Sequence, residues 1–359
     1  MEEDKKLNKK ELISKIKELY PYYTNISLYN VEQLRKIFYK SCNKINIFNE
    51  NNSCYLDSLF VSLFSGNNEI IKNIFIDSDI IDYKNDDLYN IAVNIKKELL
   101  SIYNIITSIT KTKNYCNNLR KLLQDYHNIK YSRKSIRWRK DQMESLDVIT
   151  FLSVIFKIKN SNKINIKKYG TNSLKKQIIY KNLELISDIN DIQPFTTIIP
   201  IEKLLDVKKL EIKKLYPIYI DDAVFSKDNL WKPSSKKIYK RKIEKITFLS
   251  GNLLFIHINR NNYFIQDGEE PQKINTKVIP SLKIKMKENK NNLYLRSIIV
   301  HRGIFGGGHY ICIYECNGKW YEYDDTNPEK KLIGSGNFED VCEYKDGYIL
   351  KNCTNLVYY

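Results

Sequence analysis

Two segments far apart in the chain carry the residue types that nucleophilic catalysis by a thiol requires. The first, residues 49–59, reads Asn-Glu-Asn-Asn-Ser-Cys-Tyr-Leu-Asp-Ser-Leu, and Cys54 stands where a polar loop gives way to an apolar helical stripe. The N–H groups and the dipole of a helix N-terminus stabilise a thiolate. Taken alone, a cysteine ahead of an apolar helix is more often a core residue than a nucleophile, so a second segment is needed.

The second segment supplies a base and a carboxylate to orient it. Residues 306–314 read Gly-Gly-Gly-His-Tyr-Ile-Cys-Ile-Tyr, and residues 318–325 read Gly-Lys-Trp-Tyr-Glu-Tyr-Asp-Asp. Asn317-Gly318 predicts a tight hairpin, which brings His309, at the start of one strand, near Asp324, at the end of the next. Such a carboxylate fixes the tautomer of the imidazole. A hairpin with solvated ends would explain the strands but not the glycine-rich approach to the histidine.

Asp324 and Asp325 are adjacent, and strand geometry alone leaves open which of them orients His309. Neighbouring strand residues point to opposite faces, so we expect only one of the two carboxylates to reach the imidazole. The alternation frays at the end of a strand and does not decide between them.

These segments resemble the Cys box and the His box of the ubiquitin-specific proteases, a family of papain-like cysteine proteases. The resemblance implies that Cys54 is the nucleophile, His309 the base and Asp324 the third member of the triad. It also implies that the Asn49 side chain serves the oxyanion hole. Asp325 matches the acidic residue that often follows the triad aspartate.

Looser matches lie between the two boxes. Asp147–Leu152 is similar to an Asp-Ala-x-Glu-Phe-Leu helix of the family, and Leu253–Arg260 to a strand written Leu-x-Ile-His-Leu-x-Arg. His301 and Gly303 match the His and Gly that precede a mobile loop before the catalytic histidine. The residues that we expect to contact the substrate are Asp147, His301, Gly307, Gly308 and Tyr310.

The chain also departs from the family pattern. The family usually has Gly at the position of Asn51, Thr at Ser53, Asn at Asp57 and an acidic residue at Thr150. The zinc-binding cysteine pairs of the family's fingers region are absent, because no C-x-x-C pair occurs in the sequence. We therefore predict no metal and no cofactor, and a fingers segment that holds its shape without zinc.

Composition limits the other classes of function. The sequence has 359 residues, a net charge of +17 and seven scattered cysteines, with no run of 18 apolar residues and no apolar leader at its start. These features argue against a membrane span, a secretory signal and a disulfide framework, and favour the cytosol or nucleus. Cys312 and Cys316 are interpreted as ordinary strand residues.

The positive charge also allows a nucleic-acid partner. However, Lys, Asn, Ile and Tyr are abundant throughout, which indicates the bias of an AT-rich genome rather than a binding stripe. A large DNA virus, with the protein in host cytosol or virion, or an AT-rich parasite, is our hypothesis for the origin. The oligomeric state is left open by the sequence.

The order of elements predicts an α+β fold. The resemblance implies that this fold is papain-like, with a helical thumb, an antiparallel β palm and a reduced fingers insertion. The predicted boundaries are 1–44 for an N-terminal helical extension and 45–359 for the catalytic domain, with the thumb at about 45–157, the fingers at about 158–245 and the palm at about 246–359. The predicted reaction is hydrolysis after the C-terminal Gly-Gly of ubiquitin. The alternatives are a protease for another ubiquitin-like modifier or a polyprotein, a non-catalytic ubiquitin-binding module and a nucleic-acid-binding protein.

Overall fold

A computed structural model of the chain describes most of the helical part and all of the C-terminal region. The described residues are 7–19, 26–38, 45–66, 69–81, 85–107, 113–130, 144–157, 161–171, 178–187, 196–199, 209–211, 230–234, 237–250, 252–262, 272–285 and 292–359. Among these residues, no helix has the length and apolar character needed to cross a lipid bilayer.

Helices dominate the first 158 residues, as the 3.6-residue apolar spacing predicts. In chain order they are α1 (Lys9–Leu19), α2 (Val31–Phe38), α3 (Cys54–Phe64), α4 (Glu69–Phe75), α5 (Asp86–Thr107), α6 (Asn117–Lys130) and α7 (Ser145–Ile155), with α8 (Phe338–Asn352) near the C-terminus. A capping box opens α2, because Asn30 and Gln33 exchange hydrogen bonds of 2.9 and 2.8 Å between their side chains and backbone N–H groups.

Strands occupy most of the remaining chain. They are β1 (Ser161–Thr171), β2 (Ile178–Ser187), β3 (Thr196–Ile199), β4 (Lys209–Glu211), β5 (Leu230–Ser234), β6 (Lys237–Ser250), β7 (Leu254–Ile258), β8 (Asn261–Asn262), β9 (Gln272–Lys273), β10 (Lys277–Ile279), β11 (Lys283–Lys285), β12 (Asn292–Ile304), β13 (Gly307–Cys316), β14 (Lys319–Tyr323), β15 (Lys331–Leu332) and β16 (Cys353–Tyr358).

The chain divides into two units, and the first consists of residues 1–158 and 295–357. Its sheet has the antiparallel order β15-β14-β13-β12, with β16 beside β12. The predicted hairpin at Asn317-Gly318 is confirmed, since both residues have the positive φ angles (54° and 75°) of a tight two-residue turn. The helical first half and this antiparallel sheet confirm the α+β class.

The second unit consists of residues 159–294 and 358–359. Its β1, β2, β5 and β6 form a four-stranded sheet in the order β2-β1-β6-β5, and β3 pairs in parallel with β7. The strands predicted for residues 158–245 are therefore present. Much of that segment lies outside the described residues, and the limits of thumb, fingers and palm remain predictions.

Helix α3 is the central element of the first unit, because all eleven of its residues are buried. Its apolar side chains explain this burial. Two serine hydroxyls from neighbouring elements also donate hydrogen bonds to backbone carbonyls of α3 and so hold the helix in position. Ser145 Oγ, at the start of α7, donates to the Tyr55 carbonyl, and Ser297 Oγ, on β12, donates to the Ser62 carbonyl, both at 2.9 Å. The position of Cys54, the first residue of α3, is fixed by the same contacts.

The cysteines differ in one respect from the sequence interpretation. Cys54, Cys116, Cys312, Cys342 and Cys353 are free thiols. Cys312 and Cys316 both lie in β13, as expected, but Cys316 is disulfide-bonded. The spacing of cysteines along a chain does not show which thiols meet in space, so this bond was not foreseen.

Candidate active site

The loop before α3 is shaped by two consecutive residues with positive φ. Asn51 and Asn52 have φ angles of 52° and 62°, in the left-handed region that asparagine tolerates better than other residues with a Cβ. This accounts for an asparagine where the resembling family usually has glycine. The Arg120 guanidinium, buried on α6, donates to the Asn51 carbonyl, and the loop is thereby held against the helical layer.

Asn49 is fixed by backbone and side-chain hydrogen bonds to a single residue of the sheet. Its backbone N–H donates to the Asp325 carbonyl at 3.1 Å, and its Nδ2 donates to Asp325 Oδ2 at 2.9 Å. Nearby, the buried Tyr323 hydroxyl donates to the Ile47 carbonyl at 2.9 Å. The loop that leads to Cys54 is therefore tied to the end of β14.

The structure brings His309, Asp324 and Cys54 together, although the cysteine and the histidine are 255 positions apart in the sequence. His309 Nε2 lies 2.8 Å from Asp324 Oδ1, and the Cys54 side chain lies close enough to the His309 ring to raise the pKa of the imidazole. Because Nε2 faces the carboxylate, Nδ1 is the ring nitrogen that remains for the cysteine sulphur. A base between a thiol and an orienting carboxylate is the arrangement that activates a nucleophile.

The expectation that only one of the two aspartates reaches the imidazole is wrong. Asp325 Oδ1 lies 3.3 Å from His309 Nε2, so both carboxylates stand beside the same nitrogen. The prediction assumed a regular strand, whereas β14 ends at Tyr323 and the two aspartates follow it. Outside a strand, adjacent side chains are not bound to opposite faces.

The charges of the site follow from these contacts. Hydrogen bonds to Asp324 and to Cys54 raise the pKa of His309 from 6.5 to about 10. Partial burial alone would raise the pKa of Asp324, but hydrogen bonds from His309 and Thr326 outweigh burial and lower that pKa. The pair is therefore an imidazolium and a carboxylate at neutral pH.

Asp324 has further partners that the sequence analysis did not single out. Arg302 Nη1 lies 2.9 Å from Asp324 Oδ2, while its Nη2 lies 2.8 Å from Glu322 Oε2. The Thr326 hydroxyl donates to Asp324 Oδ1 at 2.6 Å. Arg302 is the strand partner of His309 in the β12–β13 pairing, so a correct register for that hairpin would have predicted its place.

Asp57 was noted in the sequence analysis as a departure from the family pattern, but no role was given to it. It lies in the first turn of α3 and is completely buried. Its Oδ2 accepts a hydrogen bond of 2.5 Å from Ser53 Oγ, which in turn accepts one of 2.9 Å from the Glu50 N–H. An acidic residue within an otherwise apolar helix was the available signal.

The glycines before His309 have a packing reason. A Cβ on Gly308 would lie 2.3 Å from the Arg302 carbonyl oxygen and 2.5 Å from His301 Nε2, and one on Gly303 would lie 2.3 Å from the Gly307 carbonyl oxygen. Gly307 itself has open space around its Cα, with nothing within 4 Å of an added Cβ. The glycines therefore allow β12 and β13 to approach each other closely.

The substrate-binding roles predicted for the remaining residues stay predictions. The His301 ring packs at a tilt against the Tyr310 ring, with 4.7 Å between centroids, beside the hairpin that carries His309. Asp147 is exposed on α7, and its Oδ2 accepts a hydrogen bond of 2.9 Å from the Glu144 N–H. That bond belongs to a capping box, so Asp147 has a structural function whether or not it binds substrate.

His309, Asp324 and Asp325 also satisfy the spacing of a metal site, with one ligand atom each within 4.8 Å of one another. However, the carboxylates already accept hydrogen bonds from Thr326, the imidazole and Asn49, and Arg302 supplies a cation to Asp324. We interpret the group as a hydrogen-bond network, and we assign no metal to it.

A cysteine at the start of a buried helix, facing a histidine and an aspartate on the rim of an antiparallel sheet, defines a papain-like cysteine protease. Within that class the assignment is direct. The family model for ubiquitin carboxyl-terminal hydrolase matches residues 45–350, so the chain belongs to this family of cysteine hydrolases. No curated protein shows significant sequence similarity to the chain.

Proposed function

We propose that this chain is a deubiquitinating thiol protease that hydrolyses the bond after the C-terminal Gly-Gly of ubiquitin. The observation that carries the proposal is the contact of the Cys54 side chain with His309, whose Nε2 lies 2.8 Å from Asp324. Family membership supports ubiquitin conjugates as the substrate class. A nucleophile of this kind must be a reduced thiol, and on this ground we propose the cytosol or the nucleus as the location, although the disulfide at Cys316 is more typical of an oxidising compartment.

In the first half of the reaction Cys54 acts as a thiolate, and the thiol proton resides on His309. The Cys54 thiolate attacks the carbonyl carbon of the terminal glycine, and the carbonyl oxygen becomes an oxyanion. The Cys54 backbone N–H, at the start of α3, and the Asn49 side chain donate to that oxyanion. One such donor typically contributes about 10²- to 10³-fold to kcat.

The second half returns the enzyme to its starting state. The His309 imidazolium gives its proton to the leaving lysine amine, and the C–N bond breaks to leave a thioester on Cys54. The neutral imidazole then takes a proton from water, and the resulting hydroxide attacks the thioester carbonyl. The thiolate leaves, and the imidazolium–thiolate pair is restored.

A ubiquitin whose C-terminus carries an electrophile tests this proposal. We expect one covalent adduct, and peptide mass mapping should place it on Cys54. The matched control is Cys342→Ala, because Cys342 is more exposed than Cys54 but has no role in the proposed site. Cys54→Ala should abolish both labelling and hydrolysis while it still binds ubiquitin.

The result also separates the alternatives. If the probe instead reacts with the more solvent-exposed thiol, forming an adduct on Cys342 and none on Cys54, the assignment of the nucleophile is overturned. A probe panel built on other ubiquitin-like modifiers identifies the substrate class, and preferential labelling by one of those probes would replace ubiquitin in the proposal.

A further inference from the structure

Behind the site, two buried carboxyl groups face each other. Asp57, in the first turn of α3, has no exposed surface, and the Asp325 side chain is also fully buried. The two are close enough to share a hydrogen bond. Asp57 Oδ2 is occupied by the Ser53 hydroxyl and Asp325 Oδ2 by the Asn49 amide.

The other oxygen of each carboxyl group lacks a hydrogen-bond donor among the described residues. Asp57 Oδ1 and Asp325 Oδ1 are both buried, and neither has a donor within the part of the chain that the structure describes. An ionised carboxylate can only accept, so two ionised groups cannot bond to each other. One proton between them supplies the missing donor, and a buried polar atom left without a partner destabilises the folded state.

The surrounding charges favour one negative charge on the pair rather than two. From β13, the His309 imidazolium lies 3.3 Å from Asp325 Oδ1. The other titratable groups that face the pair are Cys116 before α6, Tyr55 on α3, and Tyr323 and Asp324 around the end of β14. None of these four brings a positive charge, and Arg120 and Arg302 are engaged elsewhere.

The proton is better placed on Asp57 than on Asp325. Asp325 has the imidazolium and the Asn49 N–H beside it, and both stabilise a negative charge. Asp57 has neutral groups beside it, the Ser53 hydroxyl that donates to its Oδ2 and the nearby Cys116 thiol. Burial, followed by the proximity of Asp325, raises the pKa of Asp57 well above its ordinary value, while burial also raises the pKa of Asp325.

We propose that Asp57 is a positioning residue that retains its proton and donates it to Asp325, so that an ionised Asp325 holds the Asn49 amide in the orientation that serves the oxyanion. An ionised Asp325 accepts only from the N–H₂ end of Asn49, which fixes the amide against a flip. The second N–H of that amide is then left for the oxyanion. The role given to Asn49 rests on the proposed function, whereas the proton on Asp57 does not.

Protein stability tests the proton without any activity measurement. The variant Asp57→Asn has nearly the same shape and donates an N–H without a titrating proton. If folded Asp57 retains a proton that the unfolded chain releases, the wild-type unfolding equilibrium constant should rise relative to that of Asp57→Asn by up to about tenfold per pH unit between about pH 5 and pH 8. Denaturant titrations at several pH values give this ratio.

Asp77→Asn is the matched control, because the Asp77 side chain is half exposed. Its unfolding constant should keep an almost constant ratio to that of the wild type over the same pH range. A ratio between wild type and Asp57→Asn that does not change with pH would overturn the proposal, since Asp57 would then be ionised in the folded protein.

Kinetics on a ubiquitin amide substrate test the positioning role. Asp57→Ala removes the donor to Asp325 and should lower kcat by about tenfold, less than the loss of an oxyanion donor itself, with little change in KM. Asp57→Asn should recover most of that loss. Wild-type kcat in Asp57→Ala, or an Asn variant no better than Ala, would overturn the positioning role.

The two proposals fail separately. A steep pH dependence of the stability ratio, combined with an electrophilic ubiquitin that leaves Cys54 unlabelled, would retain the proton on Asp57 and refute the proposed function. Should Asp57→Ala fail to fold, the Asp57→Asn stability ratio still decides whether the proton is present.

Discussion

The two sides of His309 differ in kind, although adjacent residues build them. On the outer side, Asp324 is 18% exposed, bonds His309 Nε2 at 2.8 Å and is paired with Arg302. On the inner side, Asp325 is fully buried and connects to Asn49 and Asp57. The outer side is made of ion pairs near water, and the inner side is made of hydrogen bonds between buried groups.

This difference indicates two separate functions for two consecutive aspartates. Asp324, with a lowered pKa and a short contact, orients and charges the imidazole. Asp325, farther from the imidazole, has the role that we propose above, which is to transmit position from α3 to the oxyanion side of the site. Both functions are available because β14 ends at Tyr323, which frees the next two side chains from strand alternation.

The largest effect on kcat should come from replacing His309, the residue that contacts both aspartates. We expect His309→Ala to lower kcat by at least about 10⁴-fold, because loss of a triad base leaves only binding and the oxyanion hole. Turnover of a ubiquitin amide substrate measures this. His127→Ala is the control, since His127 lies on α6 against Phe151, and it should keep wild-type turnover. Substantial activity in His309→Ala would mean that another group is the base.

Substitution of the two aspartates tests the comparison itself. Asp324→Ala should lower kcat by at least about tenfold, because loss of an orienting carboxylate costs up to about 10⁴-fold elsewhere. Asp325→Ala should cost less, because its 3.3 Å contact leaves the shorter Asp324 hydrogen bond in place. Parallel kcat and KM measurements decide the order. The reverse order would make Asp325 the third triad member, and Cys54 and His309 would keep their assignments.

The sequence predicted the parts of this site that depend on local order. Cys54 at a helix start and the Asn317-Gly318 hairpin follow from short-range rules, and together they place His309 beside Asp324. The fold class followed from the order of helices and strands in the same way, because apolar periodicity is also a local property.

What the sequence did not predict depends on burial and on where a strand stops. The prediction extended strand alternation to Asp324 and Asp325, although β14 ends at Tyr323, so the shared approach of the two aspartates to His309 was missed. The burial of Asp57 against Asp325 joins residues 268 positions apart in the sequence. The position of Arg302 beside Asp324 depends on the register of β12 against β13, and the sequence between these two strands did not predict that register.

The charge state of His309 provides a smaller but direct test of the outer side. With its pKa raised to about 10, His309 should stay protonated through neutral pH, which imidazole NMR titration can follow. His257 is an internal control, because burial lowers its pKa to about 4 and it should stay neutral. Asp324→Asn should lower the His309 pKa. Deprotonation of wild-type His309 near 6.5 would contradict the ion-pair description.

The same shift has a consequence for stability. Because the folded pKa of His309 lies above its unfolded value of about 6.5, binding of this proton favours the folded state. The contribution is complete below about pH 6.5 and is lost as pH rises through about 10. Asp324→Asn should weaken this dependence on the alkaline side.

The smallest effect is expected at Asp147, away from His309, where a structural role and a binding role compete. Its carboxylate caps α7, and the loss of a cap costs up to about 1 kcal/mol of unfolding free energy. As a carboxylate for the arginines of the ubiquitin tail, it would instead act through charge, and an exposed ion pair of up to about 1 kcal/mol corresponds to about fivefold in KM.

Two substitutions separate these roles. Asp147→Asn keeps an oxygen that can cap the helix but removes the charge, whereas Asp147→Ala removes both. We expect KM to rise in both variants with kcat nearly unchanged, the pattern of lost uniform binding, and stability to fall mainly in the alanine variant. Asp340→Ala is the control, because Asp340 holds the same capping-box position on α8. It should lose stability and keep its KM. A wild-type KM in Asp147→Asn would leave Asp147 with the cap alone, and the carboxylate that meets the ubiquitin tail would have to lie elsewhere in the chain.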